Sequence, residues 1–145
     1  LAQAITAGRA IGREIAPELN STPWAESGPV IERGLDRLHA AYGHLHWVHV
    51  LNNAATIALA LEAGGGDHLR SVALGVMTGW DTDSVGATIG AVTGALGGPA
   101  AVPQQIARQI GGVLHTSLPG GDTRLIDELV DQTLTLRGQM KETSR

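Results

Sequence analysis

The sequence predicts an all-α fold, a compact multi-helix bundle. Three observations carry that reading. Phe is absent and aromatics make up only 3% of the 145 residues, whereas sandwiches and barrels favour aromatic and β-branched strands. Apolar residues recur at helical spacing along most of the chain. Gly, Pro, Asn and Asp punctuate these stretches where helices start and stop. The 20 glycines and many alanines suit closely packed helices, because small residues let backbones approach.

Each element follows from local pattern. Leu1 to Ile15 has apolar residues at 1, 5, 11 and 15 and reads as an amphipathic helix ending before Pro17. Asn20 to Pro29 is a loop rich in Pro, Ser and Gly, and Val30 to His39 resumes a helix. Tyr42 to His49 is aromatic and histidine-rich and follows no clear period. Leu51 to Ala63 is apolar nearly all round, a buried helix stopped by Gly64, Gly65 and Gly66. Asp67 offers an N-cap for a helix to about Met77. The turn Thr78-Gly79-Trp80 leads into Asp81, and Thr82 to about Leu96 forms the next helix. A shorter helix follows Pro103, and Asp122 or Thr123 caps a last one from about Leu125 to Met140. The expectation is roughly seven helices and no strand, in one segment over residues 1–145.

Composition bounds the function. The formal net charge of -4 argues against a surface that holds nucleic acid or an anionic membrane by charge. With no cysteine, thiolate catalysis and thiolate metal sites are excluded, and any metal must take oxygen or imidazole ligands. The chain opens on Leu1 in mid-pattern, without the basic start and apolar run of a secretory signal. That predicts a cytoplasmic protein and a chain that some further segment precedes.

The segment that carries chemistry is Gly79-Trp80-Asp81-Thr82-Asp83-Ser84. Two carboxylates and a hydroxyl are hard oxygen ligands suited to Mg²⁺, Mn²⁺ or Ca²⁺. At a helix N-terminus the free N–H groups and the dipole favour ionised carboxylates. The plainer alternative is that one Asp caps the helix and the other is solvated. Against it stand Gly79, which allows a tight turn, and Gly86, Gly90 and Gly94 behind it. Their four-residue spacing predicts one face on which another helix lies very close and brings ligands to the Asp pair. His39, His44, His46 and His49 cluster in sequence, but their spacing fits neither one helix face nor a structural zinc pattern. Gly64 to Gly66 lacks the Lys-Ser/Thr of a phosphate loop.

The runs His49-Val50-Leu51-Asn52-Asn53-Ala54-Ala55, Gly64-Gly65-Gly66-Asp67 and Gly79-Trp80-Asp81-Thr82-Asp83-Ser84, with Gly86-Ala87-Thr88-Ile89-Gly90-Ala91 behind them, resemble the ADP-ribosylglycohydrolase family. That family includes the dinitrogenase-reductase-activating glycohydrolases and the J-type crystallins. The resemblance is close over residues 48–99 and loose in the flanks, and Trp80 stands where the commonest family pattern has glycine. It implies an all-helical domain with two Mg²⁺ ions, sometimes Mn²⁺, that hydrolyses the bond linking ADP-ribose to an acceptor. Asp81, Asp83 and Ser84 match the family's C-terminal metal ligands. Gly79, Trp80, His49, Asn52 and Asn53 fall where the substrate is expected; the alternatives are plain packing for Trp80 and helix capping for the asparagines. The implied partner is an ADP-ribosylated protein or a small ADP-ribosyl compound.

The family's N-terminal Gly-Asp-Ala and Thr-Asp-Asp motifs do not occur, and no two Asp are adjacent in this chain. The expectation is therefore the C-terminal half of a longer domain. The other metal ligands and the acidic catalytic group would lie in the missing N-terminal half. The alternative is a non-catalytic, crystallin-like structural or ligand-binding member.

Overall fold

The structure, a computed structural model, describes residues 1–143, with side chains through Met140. It divides into two units, Leu1–Val102 and Pro103 onward. The first holds helices α1 (Ala2–Ser21), α2 (Gly28–Tyr42), α3 (Val50–Gly64), α4 (His68–Met77) and α5 (Thr82–Gly97), with 3-10 turns at Trp24–Glu26 and Pro99–Ala101. The second holds α6 (Gln104–Ile110), strands β1 (Val113–His115) and β2 (Thr123–Leu125), and α7 (Ile126–Thr143). The all-α expectation holds, with one small addition.

α3 is the centre of the first unit and packs against α1, α2, α4 and α5. Its residues Ala55, Leu59, Ala60 and Ala63 are fully buried, as its all-round apolar sequence requires. α1 lies on it at backbone distance. A Cβ placed on Gly8 would sit 2.0 Å from the Ala55 carbonyl oxygen, and one on Gly12 would sit 2.7 Å from that of Leu59. Glycine is obligatory at this contact. The α2 face of α1 is filled by Ile15, whose Cδ1 touches the Gly34 position.

Polar ties run along the rims of these helices. Glu62 on α3 accepts from Arg13 Nε at 2.7 Å and from Arg9 Nε at 2.9 Å, both on α1. Those two guanidinium hydrogen bonds, Arg13 first, hold the Glu62 carboxyl below its ordinary pKa despite partial desolvation. Arg33 pairs with Glu18 and Arg37 with Glu14, joining α2 to α1. Apart from the half-buried Glu62 these side chains are largely exposed, and the bridges contribute modestly.

Four expectations change. α1 continues through Pro17 to Ser21. The proline removes one helical hydrogen bond, but the fully buried Leu19 beyond it keeps the last turn packed. The hydroxyls of Ser21 and Thr22 then donate to the Glu18 carbonyl at 3.0 and 2.7 Å, satisfying the helix end.

The second change is a short antiparallel hairpin pairing Val113 with Leu125 and His115 with Thr123. Gly111, Gly112 and Gly120 turn the chain into and around it with positive φ. Neither Asp122 nor Thr123 caps α7, since β2 runs directly into that helix. Unit two buries little: Gly121 alone is buried among the described residues 103–140, and Ile126, Val130, Leu134 and Leu136 of α7 are exposed.

Last, the Gly86, Gly90 and Gly94 face is not a tight contact. A Cβ at Gly86 would meet Val76 at 3.3 Å, one at Gly90 would meet His68 at 3.8 Å, and Gly94 faces open space. α4 lies over the first two through side chains, snugly at Gly86 and at ordinary distance at Gly90, with no backbone contact, and brings no carboxylate. The tight glycines are elsewhere, including Gly64 against Ser71 and Gly75 against Ile89.

Two predictions follow from this packing. Gly8→Ala should lower unfolding free energy by about 2 kcal/mol or more through overpacking. Gly94→Ala should raise it by about 0.5–1 kcal/mol from helix propensity, and urea melts of the pair check the contrast. The Glu62 bridges contribute fully above the ordinary glutamate pKa of about 4.3 and lose that contribution as pH falls through the lowered folded value. Glu62→Gln should therefore flatten the acid side of a stability-versus-pH curve and leave its shape at neutral pH.

Candidate functional site

The turn between α4 and α5 places the acidic residues. Thr78 is buried, and its hydroxyl donates to the Gly75 carbonyl at 2.8 Å. Gly79 adopts φ +77, which glycine takes at no steric cost. Trp80 is half-buried against the core of the first unit and stacks on His39 with ring centroids 4.3 Å apart.

His39, near the end of α2, also reaches the turn's backbone. Its Nε2 lies 2.9 Å from the Thr78 carbonyl oxygen. A carbonyl only accepts, so Nε2 carries the hydrogen. One imidazole thus braces both the backbone and the aromatic ring of the turn.

Asp81 follows at the N-cap position of α5, but its side chain caps nothing. Its Oδ2 accepts instead from Asn53 Nδ2 on α3 at 3.0 Å. The simple capping alternative is therefore not what the Asp81 carboxylate does. Asp83 and Ser84 lie in the first turn of α5, exposed, and neither side chain has a hydrogen-bond partner among the described residues. Asn53 Oδ1 is buried without a partner.

The structure thus brings Asn53 beside Asp81, with Asp83 and Ser84 on the adjoining turn. Gly79 and Trp80 lie in the same turn, while His49 and Asn52 make other contacts. His49 occupies the N-cap of α3, where its Nδ1 accepts from the Leu51 amide at 3.2 Å. Asn52 is fully buried, and its Nδ2 donates to the His46 carbonyl at 3.1 Å, which ties down the loop before α3. Neither asparagine caps the helix; the histidine does.

The donors fit a hard cation in kind, being carboxylate and hydroxyl oxygens. They fall short in number, since no group of three or more acidic or histidine side chains among the described residues could hold a metal ion.

The ADP-ribosylglycohydrolase family model matches residues 1–143. The chain belongs to that family. The match extends well beyond residues 48–99, where the motif resemblance is close, and covers both units. Membership supports a glycohydrolase-type function in general terms. No curated protein and no solved structure matches the chain.

His39 escaped the sequence reading as a site-bracing residue. No spacing rule links position 39 to 78–80, and the histidine cluster drew attention to zinc instead. His39→Ala should cost about 1–2 kcal/mol, the scale of a hydrogen bond plus an aromatic contact, and shift tryptophan emission. His39→Phe, which keeps the stack alone, should recover part of both; urea titration followed by fluorescence measures them.

Proposed function

We propose that this chain supplies part of a binuclear Mg²⁺ site, also open to Mn²⁺, in an enzyme that hydrolyses the glycosidic bond between ADP-ribose and its acceptor. The reading rests chiefly on one observation: the Asp81 carboxylate stands at the start of α5 free of capping duty, oriented by Asn53, with Asp83 and Ser84 beside it. Family membership supports the reaction class.

Asp81, Asp83 and Ser84 would hold the metal. When bound, two such ions would help orient ribose hydroxyls and would lower the pKa of the attacking water. Water adds to the anomeric carbon, that carbon's bond to the acceptor atom breaks, and the acceptor leaves with a proton. The acid that handles the proton and the remaining ligands come from outside the described residues, in keeping with a C-terminal half.

This chain's residues hold and shape. Asn53 donates to Asp81 and leaves its other carboxylate oxygen for a cation. Gly79 and His49 would contact an ADP-ribosylated protein or small ADP-ribosyl compound. Trp80 acts through its stack on His39, and Asn52 acts from behind by fixing the 46–47 loop.

Titration calorimetry of the chain alone should show Mg²⁺ binding at about 1 mM or weaker, as a site with few protein ligands implies. Asp83→Ala should abolish it. Combined with a family N-terminal half carrying Thr-Asp-Asp, the chain should release ADP-ribose in a Mg²⁺-dependent reaction. Asp83→Ala should slow that reaction at least about 100-fold. A micromolar site in the isolated chain contradicts the shared-site reading, and undiminished activity of the variant contradicts the ligand assignment. Metal binding without turnover favours the non-catalytic alternative.

A further inference from the structure

Away from the Asp81 turn, an open groove of about 430 Å³ runs beside α4, lined by Trp24, Asp67, Leu69, Arg70 and Ala73. Its one cation is unusual among its peers. Leu1–Val102 contains five arginines, and Arg9, Arg13, Arg33 and Arg37 all pair with glutamates. Of these five, only Arg70 has no carboxylate partner among the described residues.

Arg70 is nevertheless held in place. Its Nη1 donates to the neutral Asn20 Oδ1 at 2.7 Å, and its guanidinium carbon lies 5.7 Å from the Trp24 ring centroid. Nε and Nη2 have no partner among the described residues, and together they form the edge that matches a carboxylate's two oxygens. The Trp24 ring shields the cation from water on one side, which strengthens any ion pair it makes.

Asp67 also lines the groove, but its Oδ1 accepts the Arg70 backbone N–H at 2.7 Å. There its charge is offset by the free amides at the start of α4. Trp24 and Leu69 remain 41% and 44% exposed, so an apolar shelf lies next to the open cation.

We propose that this groove docks an acidic peptide segment of a partner protein. A carboxylate of the segment pairs with the Nε/Nη2 edge of Arg70, and a neighbouring apolar side chain lies on Trp24 and Leu69. Trp and Arg in one patch are the residues that most often dominate protein contacts. An open groove suits an extended chain better than a small molecule, whose sites enclose most of the ligand. The proposal is independent of the metal reading.

The test uses the full chain, labelled with ¹⁵N, and an acetylated, amidated Leu-Glu-Leu peptide as probe. The expected result is a saturable shift of the Trp24 indole and Arg70 Nε resonances that weakens with added salt. Binding should be roughly tenfold weaker for Leu-Gln-Leu on the unaltered chain, and likewise for Leu-Glu-Leu on Arg70→Gln, the scale of one charge-assisted pair. Equal affinity for the two peptides overturns the proposal, as does no saturable shift at all. Acetate producing the same shifts at the same concentration also overturns it, since the groove would then bind a bare anion. The Leu-Gln-Leu comparison keeps the test decisive if Arg70→Gln fails to fold.

Discussion

The main-chain contact between α1 and α3 at Gly8 and Gly12 is the constraint on which the first unit rests. With the Ala55 and Leu59 carbonyl oxygens where side chains would otherwise be, the two helix axes come closer than any larger residue permits. That approach lets small side chains such as Ala4, Ala55 and Ala63 fill an interior that contains no phenylalanine. Dispersion contacts are short-ranged, so an aromatic-poor core is stable only when its backbones are close. The Arg9 and Arg13 bridges to Glu62 then flank the same contact and fix its register.

The site inherits its geometry from this arrangement. α3 is held on one side by α1 and presents Asn53 to the α4–α5 turn on another. The turn is in turn gripped from α2 by His39. Asp81 is therefore positioned from two other helices, directly by the Asn53 amide of α3 and through the turn by the His39 imidazole of α2, with the Trp80 indole packed beside it. Asp83 and Ser84 need no such bracing, since the first turn of α5 sets their direction. The result is two carboxylates and a hydroxyl, of which Asp81 is hydrogen-bonded and Asp83 and Ser84 face solvent.

Much of this was legible in the sequence, and what was not has definite causes. The α3, α4 and α5 boundaries follow from Gly64–Gly66, Asp67 and Gly97–Gly98, because caps and breakers act locally. Asp81, Asp83 and Ser84 stand out for the same reason. The four-residue glycine spacing was read on α5, but it also occurs at Gly8 and Gly12, and only there do backbones touch. Spacing shows that a helix can be approached closely; it does not say by which neighbour. The Asn53–Asp81 and His39–Trp80 contacts join residues 28 and 41 positions apart, so no local pattern reveals them. The hairpin was hidden because three-residue strands carry too little alternation to register.

The exposed apolar arc of α7 has a practical meaning for anyone handling this protein. Ile126, Val130, Leu134 and Leu136 face water on a helix whose remaining surface carries Asp127, Glu128 and Asp131. Such a surface sets solubility rather than fold, because apolar patches drive association at concentrations where the folded core is untouched. Its acidic flank supplies the repulsion that opposes this, and that repulsion weakens as salt rises. Protein concentration and ionic strength then bear directly on how long the chain stays dispersed.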